Sequence, residues 1–208
     1  GKRGSGGRAM AHGRDGRVWG VHRGVGGRKR DRAVRMTLNN NGQAITRSKK
    51  LADAGAVDGA GLAKAMARER RAYTFAQTFP TGTHAMWLYY WLANAGIHPF
   101  NDVRNVVVPP PQMVVNMKIG NMSGFCVGEP WNQRAIQDDI GFTAVTTQEI
   151  WPDHPEKILG TTASWVDANP NAARALTAAV LDASRWIDTS DANRIETAQV
   201  VAARAYIN

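Results

Sequence analysis

The sequence predicts an α/β domain built on a mainly parallel sheet, and three observations carry that prediction. Short strand-like runs alternate with helical stretches from Met36 onward, the order that βαβ units produce. Proline and glycine punctuate the passages between them. The residues richest in chemistry, at 81–84, 109–112 and 127–131, each follow directly on a strand-like run. Ligands of open α/β sheets bind in that place, outside the carboxyl ends of the strands.

The elements follow in order. Residues 62–71 are rich in Ala, Lys, Arg and Glu and predict a helix. Residues 73–79 predict a strand. Residues 83–95 predict an amphipathic helix with Trp87, Leu88, Trp91 and Leu92 on one face, ended by Gly96. The β-branched run 105–108 predicts a strand stopped by Pro109, Pro110 and Pro111. A short helix over 112–119, a strand over 124–127, a helix over 130–137 and a strand over 142–146 come next. Residues 158–162 predict a further strand. Residues 171–187 predict a long Ala-rich helix with Asn169-Pro170 at its start, and 191–205 another helix.

Charge divides the chain in two. The 208 residues carry a net charge of +9, which by itself points to a polyanion or an acidic surface. Residues 1–35 hold eleven Lys/Arg, two Asp and ten Gly, and so account for all of it. Residues 36–208 balance fifteen basic against fifteen acidic side chains and give no electrostatic case for nucleic acid. Residues 1–35 lack the apolar content to fold. They read as a disordered basic tail, as a Gly/Arg nucleic-acid segment or as a misread frame. The expected division is therefore 1–35 and 36–208. No apolar run nears the roughly 20 residues of a membrane span, and no apolar segment follows the N-terminal charge as in a secretory signal. The single cysteine, Cys126, stands in an apolar run and reads as a buried thiol.

Each candidate site residue has a functional reading and a structural one. Thr81, Gly82, Thr83 and His84 open a helix, where unpaired N–H groups favour an anion, although the hydroxyls would also serve as caps. Gly128 lets backbone approach a ligand closely. Glu129 suits a cap or acid–base chemistry, and Trp131 suits the core or a flat pocket wall. Lys157 is either a surface charge or a point charge for an anion. Asp153 and His154 lack the further ligands a metal needs. No phosphate loop, nucleophile elbow or dinucleotide fingerprint is present outside the tail, so no cofactor, metal or catalytic residue is assigned.

Several stretches resemble the nitrate- and bicarbonate-binding solute receptors of ABC transporters, together with related cytoplasmic nitrate sensors. They are Met36 to Thr46, Thr83-His84 with Tyr90-Trp91-Leu92, Val106-Val107-Val108-Pro109-Pro110-Pro111-Gln112-Met113, Phe125 to Asn132, and Ile150-Trp151-Pro152-Asp153-His154-Pro155-Glu156-Lys157. The resemblance implies a type II periplasmic-binding-protein-like lobe with a mostly parallel sheet, part of a longer two-lobed fold. It implies that His84 and Lys157 contact the anion, while Pro110, Val127 and Gly128 close the pocket with backbone and apolar atoms. It assigns no residue to the aromatic and amide contacts of the other lobe. The function so implied is nitrate or nitrite binding as the receptor of an ABC transporter, in truncated form and without catalysis. Permease and ATPase subunits would be its partners, at the periplasmic face of the inner membrane. The alternatives are a cytoplasmic nitrate sensor acting on an RNA-binding antiterminator, towards which residues 164–188 lean, and a bicarbonate receptor.

Overall fold

The computed structural model describes residues 18–19 and 31–203. In chain order the elements begin with β1 (Val18–Trp19), β2 (Arg32–Thr37), β3 (Gln43–Ser48), α1 (Lys49–Asp53), α2 (Gly59–Glu69) and β4 (Thr74–Gln77). They continue with α3 (Thr83–Asn94), β5 (Arg104–Val107), α4 (Pro110–Lys118), β6 (Gly124–Gly128), α5 (Trp131–Gln137) and β7 (Gly141–Thr146). The last are α6 (Thr147–Ile150), β8 (Ile158–Thr162), α7 (Ala163–Ala168), α8 (Pro170–Thr189) and α9 (Asp191–Val201). The chain divides into a central unit, Asn39–Glu156, and a flanking unit made of Gly1–Leu38 and Lys157–Asn208. The boundary expected at residue 36 falls inside β2. The disordered tail expected over 1–35 lies outside the described residues, apart from 18–19 and 31–35.

The central unit is a five-stranded sheet in the order β5-β4-β6-β3-β7. β4 pairs in parallel with β5 and with β6, whereas β3 pairs antiparallel with both β6 and β7. Four strands thus share one direction and β3 runs against them, which is the mostly parallel sheet expected with one reversed strand set into it. The side-chain alternation of strands sends neighbours to opposite faces. Ile45, Phe75 and Cys126 pack on one face with Leu62, Leu88 and Leu92 of α2 and α3. Ala76, Phe125 and Val127 pack on the other with Met113, Val114 and Met117 of α4 and Ala135 of α5. Each large apolar side chain so buried contributes about 1.5–3 kcal/mol relative to exposure.

Local signals set where the helices begin. Asp58 caps α2, its Oδ1 accepting from Gly61 N at 2.6 Å. Prolines occupy the first turn of α4, where the missing N–H has no partner to lose, and Pro170 does the same for α8. Thr146 and Glu149 form a capping box on α6. In the core, Arg47 of β3 is fully buried. Its Nη1 donates to Asp58 O at 3.1 Å, and its guanidinium lies 5.5 Å from the Trp91 ring centroid and 5.6 Å from that of Phe142. Burial lowers its pKa to about 10 against the opposing pull of Asp58 and Tyr73.

In the flanking unit β2 pairs antiparallel with β1 and β8, with a register irregularity between Val34 and Met36. α7, α8 and α9 follow β8 in sequence. Among the described residues of this unit, Ala33 and Ala173 are the buried apolar side chains.

Candidate functional site

Strand register gathers the candidate residues at one edge of the central sheet. Gln77 stands opposite Val107, and Gly128 stands opposite Gln43, while Ala44 is flanked by Val127 and Thr146. The carboxyl ends of β4, β5, β6 and β7 therefore share an edge with the start of the reversed strand β3. His84 is the second residue of α3, Pro110 the first of α4, and Val127 and Gly128 end β6. These four expected site residues come to the same edge. Lys157 belongs to the flanking unit, where it is exposed, precedes β8 and accepts a hydrogen bond on its carbonyl from Leu38 N at 2.8 Å.

The start of α3 is built differently from a capped helix. Its N-cap is Gly82, with no side-chain cap. The Thr83 hydroxyl instead donates to Glu156 Oε1 at 2.9 Å. Gln43 Nε2 donates to Thr83 Oγ1 at 3.1 Å and also to Glu156 Oε1. Gln43 is 4% exposed, and its Oε1 has no partner among the described residues. Its backbone N–H donates to Thr147 Oγ1 at 3.4 Å. The half-buried His84 has Nδ1 2.7 Å from Thr78 Oγ1, so any contact its ring makes with a ligand goes through Nε2.

Glu156 reaches this place because its segment pairs with the chain leading into β3. Asn41 N donates to His154 O at 2.8 Å, and Glu156 N donates to Asn39 O at 3.0 Å. Asn41 and Gly42 have φ of 51° and 83°, a left-handed pair that turns the chain into β3. His154 meets Trp87 edge-on at 4.9 Å and Trp151 at 5.6 Å between ring centroids. Its imidazole thus packs among aromatics. Among the described residues no group of three His, Cys, Asp or Glu could hold a metal.

The loop after β6 is held by a buried polar chain. Asn132 Nδ2 donates to Val127 O at 2.8 Å, and Thr46 Oγ1 donates to Asn132 Oδ1 at 2.8 Å. Val127 is 1% exposed and its side chain belongs to the core. At the sheet edge it is thus represented by backbone. Gly128 is half-open: a Cβ built there would meet only Gly42 O, at 3.7 Å. Glu129 Oε2 accepts from Gln133 N at 3.0 Å and so serves the first turn of α5, while Trp131 packs against the core. Cys126 is fully buried, and burial, aided by the charge of Glu156, pushes its thiol well above the usual range.

Sequence reading missed Gln43 and Glu156, and it expected the Thr83 hydroxyl to cap α3 or meet an anion rather than to donate to Glu156. Gln43 lies in a polar run that carries no strand pattern, and the antiparallel pairing that brings it beside Gly128 is not written in local sequence. Glu156 stands next to the conspicuous Lys157, and its partners lie 73 and 113 residues away along the chain.

The chain matches the NMT1-like family over residues 5–202. It is 44% identical over 178 residues to the nitrate/nitrite binding protein NrtA of Nostoc sp., covering 82% of this chain and 40% of that protein. It is 38% identical over 175 residues to the bicarbonate transport ATP-binding protein CmpC of Synechocystis sp., covering 83% of this chain and 26% of that one. Among solved structures it is similar to the periplasmic nitrate-binding protein NrtA from Synechocystis, with a TM-score of 0.80 and 42% identity over 87% of this chain and 47% of that one. The chain thus spans less than half the length of these relatives.

Proposed function

We propose that this chain, which belongs to the NMT1-like family, recognises nitrate, and nitrite with it, as the solute-binding component of an ABC importer. The observation that supports this most is the set of polar groups at the start of α3. Thr83, His84 and Gln43 meet there at the carboxyl-end edge of the sheet, on a helix whose first turn has no side-chain cap. A helix start favours negative charge, and hydroxyl, imidazole and amide groups supply donors. Nitrate is planar, monovalent and only accepts hydrogen bonds, so a site rich in donors suits it. Gly128 leaves room for backbone to close on the anion, with Val127 and Pro110 beside it in this reading. The positive charge is assigned to Lys157 by the family resemblance alone.

The relatives reported above are transport proteins, and none of them lends support to the sensor alternative. In this reading the partners are a permease and an ATP-binding subunit, and the place of action is the periplasm.

Bicarbonate is the second reading, and one observation favours it. The unpartnered Gln43 Oε1 would accept from the bicarbonate hydroxyl, which nitrate lacks. Titration of the isotope-labelled chain with nitrate, nitrite, bicarbonate and chloride at constant ionic strength separates the two. Saturable shifts of the His84 ring and the Thr83 and Gly128 amides are expected with nitrate and nitrite. They are expected to weaken in His84→Ala and Lys157→Ala. Equal shifts with chloride, or shifts scattered over the surface, would falsify the proposal, and saturation by bicarbonate alone would establish the second reading.

A further inference from the structure

We propose that Glu156 is a tethered carboxylate that occupies the donors an incoming oxyanion must use, and that it thereby sets how readily the site admits each anion. The inference rests on the anion-binding reading above. Glu156 Oε1 accepts from the Thr83 hydroxyl at 2.9 Å and from the Gln43 side-chain amide. Thr83 is the first residue of α3, so the carboxylate sits over the end of the helix that favours negative charge. A carboxylate and a nitrate ion are both planar and present paired oxygens about 120° apart, so the same donors fit either. Gln43 is 4% exposed and packed within the sheet, so it cannot swing out to meet a ligand elsewhere. Its Oε1 has no partner among the described residues and, being an acceptor, takes no part in the exchange.

The segment carrying Glu156 is suited to a swap of this kind. It is held through backbone bonds, Asn41 N to His154 O and Glu156 N to Asn39 O. The glutamate side chain can therefore rotate away without breaking the pairing that positions residues 154–156. An entering anion replaces one acceptor by another at Thr83 and Gln43, and the displaced carboxylate passes to water. Affinity is then the difference between two similar interactions rather than the whole of one. Weak anions fail to displace the glutamate, and an anion with stronger contacts elsewhere in the site succeeds.

The test compares the full chain with Glu156→Gln and Glu156→Ala. Each isotope-labelled protein is titrated with sodium nitrate, sodium formate and sodium chloride at constant ionic strength. The Gln43 side-chain amide and the Thr83 backbone amide are read. Formate is the free counterpart of the tethered group. Formate and nitrate are expected to saturate Glu156→Ala at about one-tenth of the concentration the unmodified chain needs, because the anion no longer competes with a charged acceptor for the two donors. Glu156→Gln, which keeps the shape and loses the charge, should lie between them and carries the test if the alanine variant does not fold. A folded variant that needs as much formate as the unmodified chain, or more, shows Glu156 to be a structural latch and overturns the proposal. A gain for formate with no saturable nitrate response in any variant supports the tethered carboxylate and removes nitrate as the ligand. Nitrate binding equally to all three does the reverse. Silence towards both anions in all three overturns both.

Discussion

Gly128 separates space from chemistry at the scale of a single residue. A methyl group there meets only Gly42 O at ordinary contact distance, and the fold has no need of a glycine at that spot. Gly128→Ala should therefore change stability by less than about 0.5 kcal/mol in urea denaturation. If backbone closes on the anion at this point, the same methyl should abolish the nitrate-dependent amide shifts. Unchanged binding in a normally stable Gly128→Ala would remove residue 128 from the site. Cys126, one strand position from Val127, gives a second residue-scale expectation. Its thiol is fully buried and held protonated chiefly by burial. Since only the thiolate reacts, iodoacetamide should label it solely through unfolding. The labelling rate across a urea series should follow the unfolding of the central unit, and rapid labelling under native conditions would contradict the burial. Candidate residues were legible in sequence where they follow a strand-like run, as His84, Pro110 and Gly128 do. Gln43 and Glu156 were not, because pairing far along the chain decides what their side chains meet.

Elements come next, and α5 shows how the loop over the site is fixed. Asn132 is fully buried, donating to Val127 O and accepting from Thr46 Oγ1, both at 2.8 Å. It ties α5 to β6 and β3 together. Asn132→Leu keeps the branched shape in a somewhat larger side chain and removes both bonds, leaving a buried carbonyl and hydroxyl unpaired. The expected cost is about 2–4 kcal/mol in urea denaturation, with the Gly128 amide shifting even without ligand. A cost below about 1 kcal/mol would show that water or a neighbour replaces the amide. Gly124 is the opposite case to Gly128, for a Cβ there would lie 2.8 Å from Thr46 O and 3.0 Å from Phe75 Cε1. Gly124→Ala should destabilise by about 1–3 kcal/mol through overpacking between β6 and β3. The parallel part of this sheet was legible: β4, β5 and β6 lie within two residues of their expected ends, because apolar runs stopped by proline or glycine carry the signal. β3 was not. All six of its residues are buried, yet Gln43, Thr46, Arg47 and Ser48 are polar, and their burial is repaid by partners such as Asn132 and Asp58 O, supplied by other segments. Hydrophobic periodicity cannot reveal a strand whose inward positions are polar.

On the scale of the whole molecule, apolar burial is unevenly shared between the two units. The central unit holds both core clusters, with Ile45, Phe75, Leu88 and Phe125 completely inaccessible. Among the described residues of the flanking unit only Ala33 and Ala173 are buried apolar side chains. Leu176 and Trp186 of α8 are 49% and 44% exposed, and Ile195 of α9 is 60% exposed. Backbone hydrogen bonds alone do not hold a helix, since in water even 12–15 residues are marginal without a packed face. The 20 residues of α8 exceed that length, but with one buried side chain they gain little from packing. Opening free energy should follow the same division, because local stability tracks buried apolar contact. In native-state hydrogen exchange the amides of β3, β4 and β6 should persist longest. Those of α8 and α9 should exchange at least roughly a hundredfold faster, with no shared unfolding limit. Urea should then melt the helical signal of α8 and α9 before it exposes Cys126, giving two transitions where a single cooperative body gives one. Coincident transitions, or α8 amides as slow as those of β6, would mean that the flanking helices draw stability from contacts beyond the described residues.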